Sequence, residues 1–312
     1  MKIDVLLIPV GARYPDMRAA ALAAEESGFD GVWTWDHLRD PDEAAEAGVP
    51  EAWTVLTALA EATRRITLGP LVLNTGLRHP GLLANMAATL QQVSGGRLLL
   101  GIGAGATPSM AYAREQRALG LEVAGDRVRA ERVAETAQVL RRLWSGDASS
   151  FAGSQFRLDR PSGYLRPDPP PPIIVGGFGP RMAAIAGRHA DGFNTQAMHP
   201  DLAELGRVAR EAHAASGRDP ARFGLSVFAG LSERWLREGT PERARLERAG
   251  VDRLILLTSP PGPSPYPLPP EERVRGSGRA GGRRRRPRCA AWRRPRRSGC
   301  RPRSRARSRS PG

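Results

Sequence analysis

Eight short apolar runs, separated by stretches of helical periodicity, set the tightest limit on what this chain can form. The runs are Ile3 to Pro9, Gly31 to Trp35, Thr67 to Leu73, Arg97 to Gly103, Ile173 to Gly177, Gly192 to Thr195, Gly224 to Ala229 and Arg253 to Thr258. Strands that alternate with helices pair in parallel, and eight is the number that closes a (β/α)8 TIM barrel, so the fold class is α/β. The helical stretches include Glu51 to Thr63, Pro80 to Val93 and Asp126 to Trp144, the last with Val133, Ala137, Leu140 and Trp144 on one stripe. Gly28, Gly95 and Gly250 each follow a helical stretch and precede a strand, where a left-handed C-cap is expected. Residues 147 to 171 break the alternation: FAGSQFRL reads as a small hairpin and a Pro-rich passage follows it. This insertion after the fourth helix is expected to form a lid or rim over one mouth of the barrel.

The net charge of +15 belongs to one end of the chain. Residues 271 to 312 hold 17 Arg against Glu271 and Glu272, and the remaining 30 bases and 30 acids balance. With no basic face outside that tail, nucleic-acid binding is rejected as the main function. From Arg273 onward the residues are almost wholly Arg, Pro, Gly, Ala and Ser, a composition from which no packed core can form. The expected division is therefore a barrel over residues 1–272, its final helix missing or truncated, and a disordered tail over 273–312. Lys2 is the single lysine, which points to GC-rich coding DNA, so a shifted reading frame near codon 273 is favoured over a genuine Arg-rich arm that holds anions or RNA. Both cysteines, Cys289 and Cys300, lie in the tail, so the body has no disulfide framework. A reducing cytoplasm fits, and MKIDVLLIPVGA reads as a first strand rather than a signal sequence. No apolar run approaches the roughly 20 residues of a membrane span.

In a barrel of this kind chemistry gathers at the C-terminal strand ends. Asp36 and His37 stand where the second run stops, an acid beside the side chain that titrates near neutral pH; the competing reading is a histidine that merely satisfies its own hydrogen bonds. In IIVGGFGPR a strand runs through Gly176, Gly177, Phe178 and Gly179 into a helix carrying Arg181, which is either an anion cradle of bare N–H groups or an ordinary turn with Pro180 as the first helical residue. Gly103 and Gly105 end the fourth strand, and their missing side chains let a planar group approach the backbone; the same letters fit a weak dinucleotide fingerprint. Asn74, Asn194, Thr195 and Gln196 are polar residues at the same mouth, readable as ligand contacts or as solvated loop groups. His79 before Pro80 reads as structural. The five histidines show no metal-ligand spacing, and there is no nucleophile elbow and no P-loop.

Four segments together resemble one family. GFDGVWTWDHL at 28 to 38, ITLGPLVLNTGLRHPGLLANMAATLQQVSGGRLLLGIGAG at 66 to 105, PPIIVGGFGPRMAAIAGRHADGFN at 171 to 194 and AGVDRLILL at 249 to 257 are similar, in order and spacing, to the luciferase-like flavin and deazaflavin oxidoreductases. The resemblance spans nearly everything from Met1 to about Pro270. It implies a non-prolyl cis peptide at Leu71-Val72 against the cofactor ring, with Asn74 toward the ring's polar edge. It further implies a cofactor phosphate on Gly176 to Arg181, contacts from Asn194, and His37 as acid or base, with Asp36 orienting it or supporting the ring. The implied activity is hydride exchange between coenzyme F420 and a small organic substrate. The alternative is an FMN-dependent monooxygenase; one of another class is an inactive truncated barrel with an Arg-rich RNA-binding tail. A homodimer is one assembly the resemblance allows.

Overall fold

A computed structural model describes residues 1–40 and 48–258. The tail, the helix start expected at Pro270-Glu271-Glu272 and the boundary at 272 all lie outside the described residues. The elements run β1 (Lys2–Leu7), α1 (Tyr14–Glu26), β2 (Gly31–Thr34), α2 (Ala52–Ala62), β3 (Thr67–Pro70), β4 (Leu73–Asn74), α3 (Pro80–Val93) and β5 (Leu100–Gly103). Then come α4 (Ala113–Ala118), α5 (Asp126–Ser145), β6 (Phe151–Ala152), β7 (Arg157–Leu158), β8 (Ile173–Gly176), α6 (Pro180–His189), β9 (Gly192–Gln196) and α7 (Leu202–Ala215). The described chain ends with β10 (Gly224–Gly230), α8 (Glu233–Leu236), α9 (Pro241–Arg248) and β11 (Arg253–Thr258).

All eight expected runs are strands, and they pair in parallel in the order β3-β2-β1-β11-β10-β9-β8-β5-β4. The ring closes where Leu68 N–H donates to Arg97 O (3.0 Å) and Leu99 N–H donates to Leu68 O (2.8 Å). β3 and β4 are one strand in two pieces, divided by the cis peptide Leu71-Val72, at the position the resemblance implies. β11 pairs along all six of its residues with β1, so the hoop is complete within residues 2–258. Gly28, Gly95 and Gly250 have φ of +86°, +63° and +66°, as the C-cap reading requires.

Strand alternation sorts the core into two layers. Val5, Val32, Leu100, Val175, Phe193 and Leu254 face outward into the cluster packed beneath the helices. Inside the barrel Asp4 accepts hydrogen bonds from Trp33 Nε1 (2.6 Å) and from Arg253, a pair that joins the first and last strands. Burial pushes the Asp4 carboxyl above its ordinary value, with Arg253 pulling the other way.

The insertion forms the expected hairpin of β6 and β7. It reaches the rim of the C-terminal mouth, where Phe156 meets the His79 ring edge-on at 5.6 Å. Glu135 on α5 accepts from the N–H groups of Ser154 (2.7 Å), Gln155 (2.9 Å) and Phe156 (2.9 Å), which fixes the hairpin to the helical wall. The Pro-rich passage then runs down to the N-terminal ends of the strands. There Pro170 to Pro172 line a cavity of about 480 Å³ together with Lys2, Gly192 and Arg253.

Candidate functional site

The C-terminal mouth is built from the ends of β2, β4, β5 and β8 and from α4. Asp36 is buried and fully engaged. Arg78 donates through both terminal nitrogens, 2.7 Å to Oδ2 and 2.8 Å to Oδ1, and the Asn74 N–H donates to Oδ2 at 2.9 Å. The second terminal nitrogen of Arg78 reaches on to Glu51 at 2.6 Å. Glu51 caps α2 by accepting from the N–H groups of Trp53 and Thr54. Burial alone would raise the Glu51 carboxyl, but these N–H groups, the Thr54 hydroxyl and Arg78 outweigh it and hold the group below its ordinary value. Asp36 therefore braces the second strand against the third. It does not orient His37, as the sequence reading allowed, because the bidentate guanidinium occupies its oxygens.

His37 is held instead by Glu115, a buried side chain on α4. Nδ1 lies 3.0 Å from Glu115 Oε1, and Oε2 accepts the Leu38 N–H at 2.9 Å. An ionised carboxylate can only accept, so this contact assigns the neutral ring's proton to Nδ1 and leaves the lone pair on Nε2. Among the described residues nothing hydrogen-bonds Nε2. Tyr112 stacks on the imidazole with ring centroids 4.2 Å apart, and Trp35 meets it edge-on at 6.0 Å. The next residue of α4, Gln116, takes the Asn74 amide: Nδ2 donates to Gln116 Oε1 at 2.9 Å, while Asn74 Oδ1 accepts the Gly76 N–H at 2.9 Å. Asn74 is thus spent on fixing its own loop. Two consecutive side chains of one short helix clamp the ends of β2 and β4.

The glycines do something other than the sequence reading proposed. A Cβ on Gly103 would lie 2.5 Å from Val72 Cγ2, and one on Gly176 would lie 3.0 Å from Val72 Cγ1. Gly101 is hemmed in too: a Cβ there would collide with the Pro70 carbonyl oxygen. The missing side chains on β5 and β8 thus form a socket for Val72; they do not clear the backbone for a ring. Gly105, at φ +68°, yields its space to the Asn74 side chain, which a Cβ there would meet at 2.5 Å, and a Cβ on Gly177 would run into Met182 Cβ. Of the glycines in the loop Gly176–Gly179, Gly179 alone would give a Cβ nothing within 4 Å. It is the N-cap of α6 without a side-chain cap, Pro180 follows, and the first turn carries no acid. Phe178 and Arg181 are exposed beside it. These open N–H groups at a positive helix end, with a guanidinium nearby, fit the phosphate of an F420-type cofactor.

Asn194 is not a solvated loop residue. It is buried within the barrel and its Nδ2 donates to Ser226 Oγ at 2.9 Å. Thr195 faces the outer layer, buried, with no hydrogen-bond partner for its hydroxyl among the described residues. His79 accepts the Gly81 N–H at the start of α3, the structural role expected of it. Arg78, Glu115 and Gln116 escaped the sequence reading. Glu115 and Gln116 sit in a short helix with no apolar stripe, and their one signal is an adjacent acid and amide in the connection that follows the glycine-rich end of the fourth strand.

A closed parallel barrel with a carboxylate-held histidine at its C-terminal mouth and an uncapped helix end beside it defines the class. The chain belongs to the family described as luciferase-like monooxygenase, whose model matches residues 3–290 and so takes in the first part of the Arg-rich segment. An F420-dependent glucose-6-phosphate dehydrogenase of Nakamurella multipartita is 38% identical over 56% of this chain and 50% of its own length. A 5,10-methylenetetrahydromethanopterin reductase of Archaeoglobus fulgidus is 30% identical over 84% of this chain and 72% of its own. The chain spans about half the length of several of the curated relatives it matches. Among solved structures, an F420-dependent secondary alcohol dehydrogenase in complex with an F420-acetone adduct shares the fold, with a TM-score of 0.71, 24% identity, and coverage of 84% of this chain and 94% of that one.

Proposed function

We propose that this barrel is an oxidoreductase that binds coenzyme F420 at its C-terminal mouth and exchanges a hydride between it and a small organic substrate. The observation that carries this reading is His37, its Nδ1 held by buried Glu115 and its Nε2 without a hydrogen bond among the described residues, in a chain whose relatives include F420-dependent dehydrogenases. The cofactor, when bound, supplies the hydride acceptor or donor. His37 Nε2 takes the proton from a substrate hydroxyl as it becomes a carbonyl, or returns it in the reverse direction. Glu115 keeps the ring in one tautomer and stabilises the imidazolium that forms, as the acid of a catalytic triad does. Val72, seated in its glycine socket, gives the cofactor ring a fixed surface to lie against, while the backbone N–H groups of Gly179 and Arg181 and the Arg181 side chain receive the phosphate. A small-molecule partner, a homodimer and a cytoplasmic setting belong to the same proposal.

Fluorescence titration of the purified chain with oxidised F420 tests it, alongside the Gly179→Asp variant. Asp is a better N-cap than Gly, by a few tenths of a kcal/mol, and the space is open, so the variant melts no lower than the parent. Its carboxylate faces the phosphate, and affinity falls at least tenfold. Equal affinity in the two proteins would move the phosphate elsewhere, and no saturable binding to the parent would end the proposal.

A further inference from the structure

The cavity at the N-terminal end of the barrel, on the face opposite His37, takes part in no step of the reaction above. The interior of a barrel of this kind is filled by layers of side chains. Here the lowest layer lacks two of them, because Gly192 and Gly224 are register partners on β9 and β10, two residues before the inward-facing Asn194 and Ser226. A Cβ on Gly224 would meet nothing nearer than the Asp191 carbonyl oxygen at 3.9 Å. The gap opens into the pocket of about 480 Å³, a volume within the range of small-molecule sites. Its apolar walls are Leu99 and Ile174 at the ends of neighbouring strands, Trp144 on α5 and the prolines of the insertion.

The charged groups around this pocket are unequally spent. Asp191 accepts from Arg141 (2.7 Å) and from the Ile173 N–H (2.8 Å), and Asp252 accepts from the Leu225 N–H (2.7 Å). Arg253, whose side chain is 11% exposed, reaches Asp4 and Thr67 through Nη1 alone, so that among the described residues its Nη2 and Nε donate to nothing. Lys2, its register partner on β1, and Arg222, just before β10, are exposed at the opening, and neither side chain makes a hydrogen bond or ion pair there. The pocket is therefore polarised: unspent cations stand on the β1, β11 and β10 side, and apolar side chains on the β5 and β8 side, with the glycine gap between them. Hydrogen bonds from such cations to an ionised acceptor are the strong ones. We infer that this pocket is a second small-molecule site, one that takes an amphiphilic organic anion. The carboxylate meets Arg253, Lys2 and Arg222, and the apolar chain crosses the gap at Gly192 and Gly224 to Leu99, Ile174 and Trp144.

Calorimetric titration of the full-length protein, without cofactor, with butanoate, hexanoate, octanoate and 1-octanol tests this. The expected result is saturable binding of one octanoate per chain, an affinity that rises about two- to fourfold per added methylene, and binding of 1-octanol about tenfold weaker or less. Gly224→Leu fills the gap, melts no lower than the parent and no longer binds octanoate. Arg222→Glu, at an exposed position, weakens octanoate about tenfold and leaves 1-octanol as it was. Gly179→Asp, at the opposite mouth, leaves octanoate binding unchanged. Octanoate that does not bind, that binds no better than 1-octanol, that both Gly224→Leu and Arg222→Glu spare, or that Gly179→Asp displaces overturns the inference. Because F420 is absent from every arm, each of these outcomes leaves the cofactor reading untouched.

Discussion

The mouth of this barrel has two halves that solve opposite problems. On the side of β2, β4 and α4 the polar side chains are tied to one another: Asp36 to Arg78 and Asn74, Arg78 to Glu51, His37 through Nδ1 to Glu115, Asn74 to Gln116. On the side of β8, β9 and β10 the N–H groups at the start of α6 and the apolar side chains of Phe178, Met198 and Leu231 are open. The proposed function accounts for the difference. A group that moves a proton must be held in one orientation and one tautomer, whereas a surface that binds must keep its donors and its apolar area unspent.

The braced half should be costly to disturb and the open half cheap. Arg78→Leu leaves buried Asp36 without its cation, and removing one partner of a buried pair costs about 3 kcal/mol or more. In a barrel of this size that is a drop of roughly 6 to 12 °C in Tm, measured by calorimetry. The same variant sharpens a pH effect. Glu51 is held below its ordinary value of 4.5, so its capping contribution is complete above that pH and is lost as acidification passes through the depressed folded value. Without Arg78 that loss begins at higher pH.

Glu115→Ala should come next. It frees the His37 ring and its tautomer, and kcat for F420 reduction falls about 10²-fold while the F420 dissociation constant holds. A matching loss of cofactor binding would mean that Glu115 shapes the whole mouth and not the histidine alone. The mildest test compares one substitution at two glycines. Gly103→Ala drives a methyl into Val72 and costs about 1–3 kcal/mol, whereas Gly179→Ala enters open space at extended φ and costs only its poorer N-cap, under about 1 kcal/mol. Equal melting temperatures for the two would erase the distinction between the halves.

The same division marks what could be read from residues alone. The alternation of eight apolar runs with helices is a local pattern, and each run became a strand. Asp36 and His37 were legible as a location, a strand end at the right mouth. Their partners were not: Glu115 reaches His37 across 78 positions and Arg78 reaches Asp36 across 42, with no periodicity to announce either. The glycines show the limit most plainly. Sequence reveals that a side chain is missing, but what takes the space at Gly103 and Gly176 is Val72, from a different strand.

The clamp formed by Glu115 and Gln116 makes the connection between β5 and α5 a heritable cassette. Because neighbouring residues of one six-residue helix hold both the proton-handling ring and the loop beyond the cis peptide, those two features cannot be altered independently by changes in that connection. Transplanting residues 104–125 from a relative would exchange the histidine's tautomer control and the third strand's anchoring in one step, while the cofactor's helix end and the apolar patch on the far side stayed with the host.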